Sequence, residues 1–341
     1  MTCSNICIKK CTIHVIRESR SIKDWFVLRI QVSYVASKEE SSLVSYAERH
    51  FRLYDGVETF LLFIGYPRSI HSLVGALLDA HPEIIISHEY GVVGKWEKYR
   101  SARLKKKKNL QKYALFYDLH QFSLRDALFG RRATFSKTLL APKFRYTYNV
   151  PGLWQGGYQR KIKVIGDKQA GKTSEFLSTA IDILKEIRQT LQVPLRFIHI
   201  VRNPFDNIAT MTLRETGTRE AVIEEGTQIN NTAQDLEKSI NRYFKLAAAN
   251  QRVRELYGDE VVDIAGHETI LRPKETLQRL CDHLNVACSE DYFEKCSNIL
   301  FSTPSITRHK VLWTEEQKVR VTQMMKNYSF LREFSFDKYP I

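Results

Sequence analysis

The fold class predicted by the sequence is α/β, a three-layer sandwich in which a central parallel sheet is flanked by helices. Three observations predict it. Five short apolar runs, Phe60 to Gly65, Ile84 to Ser87, Ile162 to Gly166, Phe197 to Val201 and Val261 to Ile264, are continuous rather than alternating, as strands buried on both faces must be. Helical periodicity over 69–80, 173–190, 204–214, 230–257, 273–285 and 314–327 falls between and after them, so strand and helix alternate. The 341 residues, 43% hydrophobic and 26% charged, suffice for one large domain whose core needs no staples. In such sheets ligands bind beyond the carboxyl ends of the strands, where loops enter helices, and functional residues are sought there.

Residues 1–55 show weak periodicity and no turn chemistry, and read as an N-terminal extension of uncertain order before a single domain at 56–341. The most apolar part of the extension, Trp25 to Ala36, is interrupted by Arg29 and Gln31 and lacks a small-residue cleavage site. No apolar run approaches the roughly 20 residues of a membrane span, so no transmembrane segment is expected. Six cysteines fall in two groups, Cys3, Cys7 and Cys11, then Cys281, Cys288 and Cys296, with neither CxxC spacing nor a histidine at ligand spacing. Free thiols in a reducing, cytoplasmic setting are expected, the Golgi lumen being the alternative. The formal charge of +14 implies attraction to anions without separating nucleic acid, membrane, polysaccharide or nucleotide. Nine Lys or Arg face the single acid Glu97 between Lys95 and Lys112, and Ala127 to Gly166 holds no acid at all. An anionic substrate or cofactor therefore competes with an ordinary solvated face as the explanation.

The first strand leads into a tight loop and a helix, with Tyr66, Pro67, Arg68, Ser69, Ile70, His71 and Ser72 in the turn. Successive backbone N–H groups at a helix N-terminus, the forked Arg68 cation and the Ser69 and Ser72 hydroxyls have the layout of a phosphate cradle. A plain βα turn has no need of Pro-Arg-Ser-x-x-Ser. Phe197 to Thr210 is again strand, loop and helix: Arg202 ends the strand, Asn203 suits the N-cap and Pro204 the first helical position. Thr210, two turns on, is placed to face the same ligand as Arg202.

These two segments, in this order, resemble the 5'-phosphosulfate and 3'-phosphate elements of the sulfotransferase superfamily, closest in style to its carbohydrate and heparan-type members. There Pro-Lys/Arg-Ser/Thr-Gly-Thr/Ser-Thr/Ser follows the first strand, and an Arg at a later strand end with a Ser eight residues on holds the 3'-phosphate. Here Arg68 takes the basic position, Thr210 replaces the Ser, and Ile70 stands where the family has glycine. A branched residue disfavours positive φ, so a reshaped loop is expected at Ile70. His267-Glu268-Thr269-Ile270, Pro273 and Thr276 to Cys281 resemble the family's late helix, and Arg308-His309-Lys310 with Trp313 resembles the basic loop that closes over the nucleotide. The resemblance spans about Phe60 to Tyr328. It implies a P-loop-like sandwich and sulfuryl transfer from 3'-phosphoadenosine 5'-phosphosulfate (PAPS) to a hydroxyl or amine. It implies no metal, because the donor has no terminal phosphate chain, and a small-molecule or anionic glycan acceptor rather than nucleic acid. Phe144, Tyr146, Tyr148, Trp154 and Tyr158 are candidates to line the acceptor site, with aromatic core packing the equal alternative.

Gly166-Asp167-Lys168-Gln169-Ala170-Gly171-Lys172-Thr173 satisfies G-x-x-x-x-G-K-T between a strand and a helix, which by itself reads as the Walker A loop of an NTPase or kinase. Against this, Phe197 to Val201 ends in Arg202 instead of a magnesium-holding Asp, and the place after the first strand is taken by Tyr66 to Ser72. The resemblance gives the segment a different role, because heparan-type enzymes carry a Lys before a small-residue loop near the sulfate. On that reading Lys168 approaches the bridging oxygen. Arg68 and Lys168 suit the charge of in-line transfer, which also needs a base. Two candidates stand at the end of the second strand. Glu89 resembles the catalytic Glu that follows a His-Pro-x-Leu/Ile stretch like His81-Pro82-Glu83-Ile84. His88 is the second, because imidazole titrates nearer neutrality and serves as base in cytosolic relatives. Adjacent strand residues face opposite ways, so only one of the two is expected in the pocket.

Overall fold

In the computed structural model, residues 51–100, 110–128, 148–217 and 228–338 are described. The chain divides into Met1–Tyr46 and Ala47–Ile341, and the described residues all belong to the second unit. Cys3, Cys7, Cys11, Phe144, Tyr146 and most of the expected extension lie outside the described residues.

The elements follow one another as β1 (Thr59–Gly65), α1 (His71–Asp79), β2 (Ile84–His88), α2 (Glu97–Arg100), α3 (Leu110–Leu128), β3 (Val164–Lys168), α4 (Ala170–Leu177), α5 (Ile183–Leu191), β4 (Leu195–Val201), α6 (Pro204–Glu215), α7 (Ala233–Tyr257), β5 (Val261–Ala265), α8 (Gly266–Leu271), α9 (Pro273–Leu284), α10 (Glu290–Ser297) and α11 (Glu315–Met325). The strands form one sheet in the order β2-β3-β1-β4-β5, every neighbouring pair parallel. Side-chain alternation makes the three layers. Phe60, Leu62 and Ile64 join Ile85, Ile165 and Phe197 on one face, under α3 and α5, whereas Leu61 and Phe63 join Ile86, Val164 and Ile198 on the other, under α1 and α9. Continuous apolar strands are thus explained by burial on both faces.

Three sequence expectations are corrected, and one helix is added. β3 runs to Lys168, two residues beyond the expected end, so most of the Walker-like segment is strand and helix and only Gln169 lies between. The helix expected over 173–190 is two, parted at 178–182, and α3 was not expected: half of its buried face is His120, Ser123 and Asp126, which breaks the apolar period. Tyr158 packs against the core, whereas the Trp154 side chain is exposed. Trp154 N donates to Ala80 O (3.1 Å), Gln159 N to Pro82 O (2.9 Å), and the Tyr158 ring meets His120, all at the sheet edge where strands begin. Finally, Cys281 and Cys288 form a disulfide, Cα atoms 6.2 Å apart, joining the last turn of α9 to the segment before α10. Cys296 remains a buried thiol, pushed up to about 12 by burial.

β2 is an edge strand, and its open side is managed by polar groups. Asp79, in the last turn of α1, accepts from Ile86 N (2.5 Å), from Ser123 Oγ (2.8 Å) and from Gly156 N (2.8 Å). The edge amide is thereby satisfied inside the domain rather than left to pair with another chain.

Candidate active site

The carboxyl ends of β1, β2, β3 and β4 bring the expected residues to one edge of the sheet. After Gly65 the chain turns through Arg68 and Ile70, both near φ 69°, before α1 begins. Ile70 therefore takes the left-handed conformation that a branched residue disfavours. Space for its branched side chain comes from Gly266, where an added Cβ would lie 2.5 Å from Ile70 Cγ2. The loop is braced from behind: Pro67 O accepts from Asn207 Nδ2 (2.8 Å) and Arg68 O from Arg202 Nη1 (3.2 Å). The two hydroxyl groups of the turn serve different partners. Ser69, fully buried, donates to Tyr66 O (2.9 Å) and is used within the loop, while Ser72 Oγ accepts from Lys168 Nζ (3.0 Å). The Tyr66 ring leaves the loop altogether and stacks on Tyr243 with centroids 4.1 Å apart, so only its backbone is offered to the turn.

Lys168 is the centre of the site. It stands opposite His88 in the parallel register, on the α1 face, with its side chain 1% exposed. It reaches the edge only because residue 75 is glycine: a Cβ there would meet Lys168 Cγ at 2.6 Å. Nζ donates to Glu89 Oε1 (3.1 Å) and faces His88 Nε2 (3.5 Å), with His71 Nε2 3.9 Å from the same Glu89 oxygen. Both candidate bases are therefore present, contrary to the expectation that strand alternation admits only one. His88 ends β2 on the Lys168 face, and Glu89 is turned back to that face by φ 64° just after the strand stops. Burial pulls the Lys168 ammonium down, and Glu89 offsets part of this. Burial alone would raise the Glu89 carboxyl, but His71, Lys168 and His88 together hold it well below the usual carboxylate range. Burial also lowers His71.

Arg202, at the end of β4, is the second centre. Nη1 donates to Thr210 Oγ1 (3.0 Å), and Nη2 to Thr307 Oγ1 (3.1 Å) and Ser305 O (2.9 Å). The expected pair of Arg202 and Thr210 is thus brought together, and Thr307 joins it without any signal in the sequence. Arg308 behaves otherwise than expected. Its guanidinium is 1% exposed and holds Asp206 through Nε to Oδ1 (3.0 Å) and Nη2 to Oδ2 (2.8 Å), with Nη1 on Ser335 O (2.8 Å) and Phe336 O (2.6 Å). It fixes the segment 305–310 to α6 from a buried position, whereas His309 is exposed and Lys310 half-buried. Asp206 completes the fixture by accepting from the backbone of Thr307 (2.8 Å) and Arg308 (2.9 Å). In sequence it reads as an ordinary acid in a first helical turn, and nothing distinguishes it.

This edge combines an anion-ready loop, a buried ammonium beside a carboxylate, and a second cation on a neighbouring strand. Such an arrangement has the charges to suit a ligand with two separated anionic groups and a carboxylate able to take a proton near one of them. The profile described as the sulfotransferase family matches residues 61–290. Among solved structures, the sulfotransferase domain of the Synechococcus PCC 7002 olefin synthase aligns at 11% identity over 80% of this chain and 94% of that one, with a TM-score of 0.46. A sulfotransferase from Mycobacterium avium aligns at 12% identity over 87% and 83% (TM-score 0.43), and a mouse sulfotransferase complexed with PAP at 13% over 85% and 89% (0.42). No curated protein matches the chain.

Proposed function

The chain belongs to the sulfotransferase family, and from that premise we propose that it transfers the sulfuryl group of PAPS to a hydroxyl or amine of a small-molecule or glycan acceptor. The observation that carries this reading is the buried Lys168 ammonium, held between Ser72 of the phosphate loop and a Glu89 side chain that is 48% exposed. A buried cation demands an anionic neighbour, and the one paired with it here reaches solvent.

The backbone N–H groups from Arg68 to Ser72 and the Arg68 guanidinium receive the 5'-phosphosulfate, and Arg202 with Thr210 receives the 3'-phosphate. As the acceptor oxygen or nitrogen bonds to sulfur, the bond from sulfur to the 5'-phosphate oxygen breaks. Lys168 neutralises the charge that collects on that oxygen. The acceptor proton passes to Glu89 and then to solvent, leaving adenosine 3',5'-bisphosphate. Both groups face the Lys168 ammonium, and Glu89 is favoured over His88 because it is the more exposed of the two. The donor has no terminal phosphate chain to be neutralised, so no metal enters the reading. The charge of +14 supports an anionic glycan acceptor. The Cys281–Cys288 disulfide supports an oxidising compartment such as the Golgi lumen over the cytoplasm. Among the described residues no helix is long and apolar enough to cross a membrane.

A thermal-shift comparison tests the ligand class. Adenosine 3',5'-bisphosphate at a hundredfold excess over its Kd should stabilise the protein by about 2.7 kcal/mol, and ATP with magnesium should not. Stabilisation by ATP with magnesium alone would return the Walker-like segment to candidacy and overturn the sulfotransferase donor assignment.

A further inference from the structure

β3 carries a second ionisable group that the transfer chemistry leaves unused. Asp167 precedes Lys168 and so faces the other side of the sheet, where it is 1% exposed. Its carboxylate accepts from Ser87 Oγ (2.7 Å) and from three consecutive backbone amides, Tyr90 N (3.0 Å), Gly91 N (2.8 Å) and Val92 N (3.0 Å). Burial pushes this carboxyl up, and the donors pull it back. A carboxylate so enclosed is costly unless its lone pairs are used, and here four donors use them.

The three amides belong to the loop that carries Glu89. That loop crosses the carboxyl end of β3: Glu89 N donates to Lys168 O (3.0 Å), the chain turns at Glu89 and at Gly91 (φ 85°), and the next amides close on Asp167. One side of the crossing is fixed by Asp167, and the Glu89 side chain is left over Lys168 on the other. Glycine is favoured at 91 in the crossing because its φ of 85° is one that other residues adopt only with strain.

We propose that Asp167 is a positioning residue for sulfuryl transfer, tethering the loop after β2 so that Glu89 stays over Lys168. The proposal rests on the assignment of Glu89 as base. Its energetic logic is that a base displaced by about 1 Å loses on the order of a hundredfold in rate, whereas the donor's two anionic ends are assigned chiefly to the loop after β1 and to Arg202 after β4, which the tether does not touch.

The test compares the full chain with Asp167→Asn, which keeps the size of the side chain but places an amide N–H₂ among donors. Transfer from radiolabelled PAPS to para-nitrophenol and to desulfated heparan should lose about ten- to a hundredfold in kcat. KM for PAPS and Kd for adenosine 3',5'-bisphosphate should stay within about twofold. Amide hydrogen exchange at Tyr90 to Val92 should accelerate by about tenfold or more, with β1 amides unchanged. Should Asp167→Asn fail to fold, Gly91→Ala displaces the same loop with the carboxylate intact, and the same division between kcat and donor affinity is expected. Unchanged kcat and unchanged exchange would overturn the proposal, as would an equal loss of kcat and donor affinity. If the parent transferred no sulfuryl group to either acceptor, the enzymatic reading would fall, and exchange at 90–92 would still decide the tether.

Discussion

Two strand-to-helix corners lie side by side at the active edge, and they reverse what their sequences advertise. The β3–α4 corner satisfies a nucleotide-binding pattern in full, yet it has a single connecting residue, Gln169, and no loop in which a phosphate could sit. The β1–α1 corner departs from its family's pattern at Ile70, yet it has five connecting residues and two left-handed ones, enough to turn amides outward. The glycines of the first corner serve the second. An added Cβ at Gly171 would meet Pro67 Cδ at 2.7 Å, and one at Gly166 would overlap the Leu61 carbonyl. Ser174, just past the pattern, accepts from Gly65 N (2.9 Å). A motif records residue types; a cradle requires backbone length, and here the two have separated onto neighbouring corners.

The sharpest way to break this contrast is at Glu89, the proposed proton acceptor. Glu89→Gln keeps the shape and removes the base, and should cost roughly 10²- to 10⁴-fold in kcat with donor affinity preserved. If that variant turned over like the parent and His88→Ala did not, the role would belong to His88. Next come the two lysines of the Walker-like segment. Lys168→Ala should lose on the order of 10²- to 10³-fold in turnover, whereas Lys172→Ala, exposed on α4, should remain within about twofold. A nucleotide hydrolase would give the opposite order, and steady-state kinetics on both variants decides between them.

A smaller effect is expected at the far end of the donor. Arg202→Ala should weaken adenosine 3',5'-bisphosphate by roughly 1.5–3 kcal/mol, about ten- to a hundredfold. Adenosine 5'-phosphate, with no 3'-phosphate, should bind variant and parent alike in calorimetry. Equal weakening of both ligands would make Arg202 a structural residue. The smallest effect lies away from both corners. Cys288→Ser opens a bridge spanning 7 residues of sequence, and should lower stability in urea by roughly 2 kcal/mol while leaving kcat unchanged.

The strands were legible to within two residues because burial on both faces writes continuous apolar runs, and the positions of the turn after β1 and of Arg202 were legible because they follow such runs directly. What escaped the sequence escaped for identifiable reasons. The convergence of His88 and Glu89 depends on one positive φ after the strand end, which a glutamate does not announce. Arg308 looked like a ligand-binding cation because a solvated arginine and one buried against Asp206 are spelled alike. Asp167 was hidden inside a pattern that assigns no role to its position. α3 was missed because its buried side is half polar, satisfied by partners such as Asp79 that lie far away in sequence.

The contact between Ile70 and Gly266 has a bearing on mutational history. A left-handed isoleucine holds roughly 1–2 kcal/mol of backbone strain, and its side chain occupies the space that a methyl at 266 would need. The two positions are therefore epistatic. Gly266→Ala should be harmful while isoleucine is present and tolerated once Ile70→Gly has removed the obstruction, so only one order of the two steps avoids a damaged intermediate. A double-mutant cycle on thermal stability should show a coupling between them, and the phosphate loop of this chain is in that sense locked to a glycine about two hundred residues away.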